Sequence, residues 1–193
     1  MTRVFQIGFH VCGTRSLASF FRVNGFKHFH HENHQLAEQL FNNLKDGKTK
    51  FDSNFEGPFP GHQGAFYSDM QSWKPDRDGD YFNKLAAYTL FKEIDKGYPN
   101  SLFILNLRDK EAWINSKIAK GREGRYYKQP EKELTKLLSD EWDSHIENVR
   151  KYFKDSTHFI EFHITNDSIN KVADWLEKFG LKIESRSFPK VRG

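Results

Sequence analysis

The sequence predicts an α/β fold of three layers, with a central parallel sheet of about five strands flanked by helices. Short apolar runs alternate with segments of helical periodicity along the chain, the pattern of strand-helix units that build parallel sheets. One run, "LFILNL" (102–107), is apolar almost throughout, as expected of a strand covered on both faces. At 193 residues the chain is long enough for one domain with a substantial core and short for two. It reads as a single domain, 1–193.

The elements follow in order. Val4 to Ile7 forms a strand ended by Gly8, and Leu17, Phe20 and Phe21 recur at helical spacing until Gly25. "FKHFHH" (26–31) makes a second strand, and 33–47 a helix with Leu36, Leu40 and Leu44 on one face. From Asp52 to Arg77 glycine and proline break the pattern, and only "AFYSD" (65–69) reads as a strand. Asp80 is suited to cap a helix over 81–96, in which Leu85, Tyr88, Leu90, Phe91 and Ile94 form the buried face. After "LFILNL", Asp109 caps a helix to about Lys120, and "GREGRYYKQP" is a basic, aromatic loop. Pro130 opens a long helix to about Lys154, "HFIEFHI" (158–164) is the last core strand, and a helix over 168–179 stops at Gly180.

Composition narrows the function classes. The 30 Lys and Arg against 26 Asp and Glu leave +4, which points to a local anion site rather than a nucleic-acid-binding face. A single cysteine, Cys12, rules out an internal disulfide and a cysteine-rich metal site. No export-type leader and no run of about 18 apolar residues is visible, so a cytoplasmic protein without an integral membrane segment is expected. Nothing in the sequence speaks to oligomeric state.

The segment "QIGFHVCGTRSL" (6–17) places two glycines between an apolar strand and an apolar helix. Such a turn points backbone N–H groups at one spot, and the helix start adds partial positive charge, so the spot attracts phosphate. Cys12, Gly13, Thr14, Arg15 and Ser16 form the cradle; the alternative is an ordinary strand-helix turn. A nucleoside-triphosphate loop requires lysine directly after the second glycine. Thr14 stands there, which disfavours a small P-loop kinase without removing it as the rival reading.

"VCGTRSL" resembles the phosphosulfate-binding loop of sulfotransferases that use 3'-phosphoadenosine 5'-phosphosulfate, and its "GTR" form is similar to the glycan-modifying branch. A second signature of that family, a strand ending in arginine with serine eight residues later, matches Arg108 and Ser116 in "LFILNLRDKEAWINS". "YPNSLFILNLRD", "HIENVRKYF" and the tail "SFPKVRG" follow the order of bacterial-type members. The resemblance implies a P-loop-like fold and the phosphosulfate nucleotide as co-substrate. It also implies sulfuryl transfer to a hydroxyl, of a carbohydrate or glycolipid, with no metal. It places the donor's 5' side on the loop 12–16 and its 3'-phosphate on Arg108 and Ser116.

The chain departs from the family at one position. Two residues before Gly13 the family carries a lysine on the leaving phosphosulfate, and here Val11 stands. Catalysis then requires a cation from Arg15, from His10 or from a lysine elsewhere; without one the chain is a catalytically weakened nucleotide-binding protein. For the acceptor's base Asp69 is the candidate, with Glu56 and His62 in the same irregular segment. His28, His30, His31 and His34 cluster, but strand alternation splits them between faces, so a polar strand end is expected rather than a zinc site. Arg122, Arg125, Tyr126, Tyr127 and Lys128, and the tail residues Lys190 and Arg192, are read either as anion-gripping groups or as solvated surface.

Overall fold

A computed structural model describes residues 1–48, 50–73, 84–123 and 129–189 of the chain. Five strands form one parallel sheet: β1 (Thr2–Gln6), β2 (Phe26–His30), β3 (Gly64–Ser68), β6 (Leu102–Leu107) and β7 (Phe159–His163). Their spatial order is β2-β3-β1-β6-β7, with every neighbouring pair parallel. Two short strands, β4 (Gln71–Trp73) and β5 (Lys84–Ala86), pair antiparallel outside this sheet.

Strand alternation sorts the core onto the sheet's two faces. Val4, Phe66, Leu102, Ile104 and Phe162 face α1 (Thr14–Val23) and α7 (Asn170–Glu177), which contribute Leu17, Phe20, Phe21, Val172 and Leu176. Phe21 stacks on Phe66 with ring centroids 4.0 Å apart. On the other face Phe5, Tyr67, Phe103 and Leu105 meet α2 (Gln35–Lys45), α3 (Ser53–Glu56), α4 (Phe91–Gly97), α5 (Lys110–Glu123) and α6 (Glu131–Tyr152). The result is the expected three-layer α/β arrangement.

The helix expected over 81–96 is a correction. A 3-10 turn, Ala87–Leu90, and the short α4 take its second half, while residues 84–86 are strand. Leu85 lies opposite Ser72, and Leu85 and Ala86 still pack against the core. Tyr88, Phe91 and Ile94 are buried and Leu85 and Leu90 half-buried, but cross-strand pairing overrides the helical spacing over 84–86. The Asp80 cap lies outside the described residues. The helix read from residue 33 begins at Gln35, after a turn in which residues 31 to 34 all have positive φ. Asp109 does cap α5, its Oδ1 accepting from the Ala112 N–H at 2.8 Å.

This topology singles out one end of the sheet as the candidate place for a ligand. From β1 the chain moves outward to β2 and β3 on one side, then crosses to β6 on the other, so the β1/β6 boundary is the switch point of the sheet. Ligands of open parallel sheets sit beyond the carboxyl ends of strands at such a point. Three adjacent strands deliver candidate residues there: β1 leads into residues 7–13, β6 into Arg108, and β3 into Asp69.

Candidate active site

The loop between β1 and α1 is held from beneath by its carbonyl groups. Gln6 Nε2 donates to the Gly8 carbonyl at 2.6 Å, and Trp113 Nε1 to that of His10 at 3.0 Å. Arg108 Nη1 donates to the Val11 carbonyl at 3.1 Å, and Asn106 Nδ2 to that of Cys12 at 2.6 Å. His145 reaches the Ile7 carbonyl at 2.7 Å, which requires its Nε2 to carry the hydrogen. With the carbonyls turned into the protein, the N–H groups at the start of α1, which have no intrahelical acceptor, are the polar backbone left for an anion.

Two glycines make this path possible. A Cβ on Gly8 would overlap the backbone and side chain of Asn106, so the crossing of β1 and β6 admits only hydrogen there. Gly13 precedes α1 with φ +73°, a left-handed conformation that L-residues avoid, and Ile164 would stand 3.1 Å from an added Cβ. Val11 also has a positive φ, 68°, an outlier for a β-branched residue. Its side chain packs against the core cluster, and its carbonyl is fixed by Arg108.

A cavity of about 140 Å³ opens at this point, lined by Gly13, Thr14, Arg15 and Ser16 from the loop and helix start. His10, Val11, Asp69 and Lys120 of α5 complete the lining. Thr14 and Ser16 are buried and Arg15 is exposed. Cys12 lies beneath the loop, where burial pushes its thiol up to about 12 against the nearby charges of Arg108 and Lys117. It is inert as a nucleophile at neutral pH.

Arg108 joins the loop to the second predicted anion position. Its Nη1, besides bonding Val11, lies 3.4 Å from Ser116 Oγ, while its Nε is buried and has no hydrogen-bond partner among the described residues. A buried, unpartnered guanidinium N–H is costly unless a ligand satisfies it. Ser116 Oγ itself donates to the Ala112 carbonyl at 2.8 Å, which leaves its oxygen as an acceptor toward Arg108.

On the other side His10 Nδ1 stands 3.0 and 3.1 Å from the two Asp69 carboxylate oxygens. Asp69 is 7% exposed, its N–H donates to Gln6 Oε1 at 2.9 Å, and Gln71 Nε2 donates to its Oδ1 at 3.2 Å. Burial pushes the Asp69 carboxyl up, but the His10 hydrogen bond and the charges of His10, His30 and His31 outweigh it and hold it below the usual carboxylate range. His30 Nδ1 pairs with Ser68 Oγ at 2.9 Å, with Nε2 3.8 Å from Asp69 Oδ2. Burial lowers His30 and His31 below the usual histidine value, despite the nearby Asp69 charge.

Other sequence candidates lie elsewhere. Glu56 bridges Arg3 at 3.0 Å and bonds Tyr98, a structural tie on the α2 face of the sheet. His31 and His34 pack ring against ring, and no group of three potential ligands gathers as a metal site among the described residues. Arg125 to Lys128, Lys190 and Arg192, and the Arg122 side chain, lie outside the described residues. Gln6, Asn106, Trp113 and His145, which shape the loop, were not singled out from sequence. Two carried a legible signal, since Gln6 and Asn106 are amides inside otherwise apolar strands and are fully buried.

The sequence pattern of the sulfotransferase domain family matches residues 3–120, more than half of the chain and all the residues that line the cavity among those described. The chain belongs to the sulfotransferase family. A crystal structure of a sulfotransferase from Alicyclobacillus acidocaldarius superposes with a TM-score of 0.59 at 11% identity, covering 99% of this chain and 87% of that one. At that identity the likeness speaks for the fold, which is that of a sulfotransferase. No curated protein sequence matches the chain. Among the described residues of this sulfotransferase-family chain, no helix is long and apolar enough to cross a membrane.

Proposed function

We propose that the chain acts as a single-domain sulfotransferase that moves a sulfuryl group from 3'-phosphoadenosine 5'-phosphosulfate to a hydroxyl group, of a carbohydrate or glycolipid. The observation that carries this reading is Arg108. One guanidinium grips the loop through Val11, approaches Ser116, and keeps a buried Nε–H unsatisfied. A nucleotide with phosphates at both ends of its adenosine needs two such linked anion positions. Arg108 and Ser116 hold the 3'-phosphate, and residues 12–16 hold the 5' side.

In this reading the acceptor hydroxyl attacks sulfur in line with the bond to the leaving phosphate. The Asp69 carboxylate accepts from His10 Nδ1–H, which leaves Nε2 as the basic nitrogen. His10 therefore takes the acceptor's proton, and Asp69 orients the ring and stabilises the imidazolium. Arg15 places a permanent positive charge where charge develops on the transferring group.

Binding and turnover test the proposal together. Adenosine 3',5'-bisphosphate should bind far more tightly than AMP, ADP or ATP, and without magnesium. Release of that bisphosphate from the phosphosulfate should accelerate with hydroxyl acceptors drawn from a carbohydrate and glycolipid panel. Preference for ATP with magnesium would replace the reading by that of a kinase. Tight bisphosphate binding without turnover would leave a nucleotide-binding protein.

A further inference from the structure

We propose that Lys120, one helical turn beyond Ser116 on α5, supplies the cation on the donor's leaving 5'-phosphate that Val11 cannot; the assignment rests on the phosphosulfate-donor reading above. Val11 lines the cavity but carries no charge, and its side chain packs against the core cluster. Among the described residues, two permanent cations, Arg15 and Lys120, nonetheless line the cavity. Arg15 sits on the first turn of α1, close enough for its charge to be felt at His30, on the side where the acceptor's base lies. Lys120 lines the same cavity from α5, the helix that carries the 3'-phosphate serine.

Helical spacing supports this division. Ser116 and Lys120 are four residues apart and share a face of α5, so a donor whose 3'-phosphate meets Ser116 finds Lys120 on the same helix surface. Lys117, between them, is instead buried near the Trp113 ring. Lys120 is exposed and has no carboxylate partner among the described residues, so no internal ion pair must be broken for it to meet an anion. In the transfer the bond from sulfur to the 5'-phosphate oxygen breaks with its electron pair remaining on that oxygen. The acceptor oxygen bonds to sulfur, its proton passes to His10, and the charge gained by the phosphate is met by the Lys120 ammonium.

The full chain is titrated by calorimetry with adenosine 3',5'-bisphosphate and with adenosine 3'-monophosphate, which lacks the 5' group. Lys120→Ala should weaken the bisphosphate about tenfold or more, the scale of one charge-assisted phosphate contact, and leave the 3'-monophosphate unchanged. Lys120→Arg should retain most of the bisphosphate affinity. Equal bisphosphate affinity in wild type and Lys120→Ala overturns the assignment, as does an equal loss for both ligands. If wild type binds the bisphosphate no better than AMP, the donor reading itself fails, whatever Lys120 does.

Discussion

His10 and Asp69 meet with Nδ1 3.0 Å from Oδ1, although 59 residues separate them and they leave different strands of the sheet. The contact turns one imidazole nitrogen into the protein and leaves the other as the basic one. If His10 is the base and Asp69 its orienting partner, His10→Ala should lower bisphosphate release about a hundredfold or more, within the range of general-base contributions. Asp69→Asn should also lower it, at least about tenfold, by disturbing tautomer and orientation. Single-turnover measurements decide the roles: a His10→Ala enzyme that keeps its rate while Asp69→Asn loses it would make the carboxylate the base.

The same cluster predicts how stability changes with pH. Burial holds His30 and His31 below the ordinary histidine value of 6.5, so the unfolded chain binds more protons than the folded one as pH falls through that value. Stability should therefore decline on acidification from about pH 7 toward the lowered folded values, and then level off with respect to these groups. Asp69 acts lower on the scale. Its depressed carboxyl contributes stability that is present above its ordinary value of 3.8 and is lost as pH falls through the folded value. Urea melts from pH 8 to 3 should show both stages, and His30→Gln should flatten the first without removing the second.

Gly8 gives a prediction about the fold under the site. An added Cβ meets both backbone and side chain of Asn106, which is itself bonded to the Cys12 carbonyl, so no flexible end can yield. Gly8→Ala should cost about 1–3 kcal/mol or more, the scale of overpacking in a filled core. Gly61→Ala is the contrasting change, with φ +81° but open space around the Cβ, and should cost about 1 kcal/mol from left-handed strain alone. Equilibrium denaturation of the two variants separates crowding from strain.

The sequence made the five sheet strands and the strand-loop-helix turn after β1 legible because their signals are local. "LFILNL" needs no partner to be read as a buried strand, and "GTRS" needs only a preceding strand and a following helix. The His10–Asp69 pair was visible only as two separate candidates, since their meeting depends on β3 lying beside β1. The lining role of Lys120 was hidden for the same reason: nothing in residues 117–120 says which lysine faces the loop and which lies under Trp113. The failed helix over 81–96 shows the converse. Its apolar spacing does encode burial at Tyr88, Phe91 and Ile94, but residues 84–86 find strand partners at 71–73.

Arg15 tests how two cations divide one transfer. It is exposed at the start of α1 and has no carboxylate partner among the described residues, so Arg15→Ala should leave stability within about 0.5 kcal/mol of wild type. It lines the same cavity as His10 and Asp69, and its charge is felt at His30. Turnover should then fall about a hundredfold, as for loss of one electrostatic contact made at the transition state, with a smaller change in bisphosphate affinity. Arg15→Lys should recover part of the rate, because charge is kept while the planar fork is lost. A variant that loses bisphosphate affinity and keeps its maximal rate would instead assign Arg15 to the donor's phosphate, the role proposed for Lys120. Measuring both constants on Arg15→Ala and Lys120→Ala distinguishes a shared anion clamp from two cations with separate tasks.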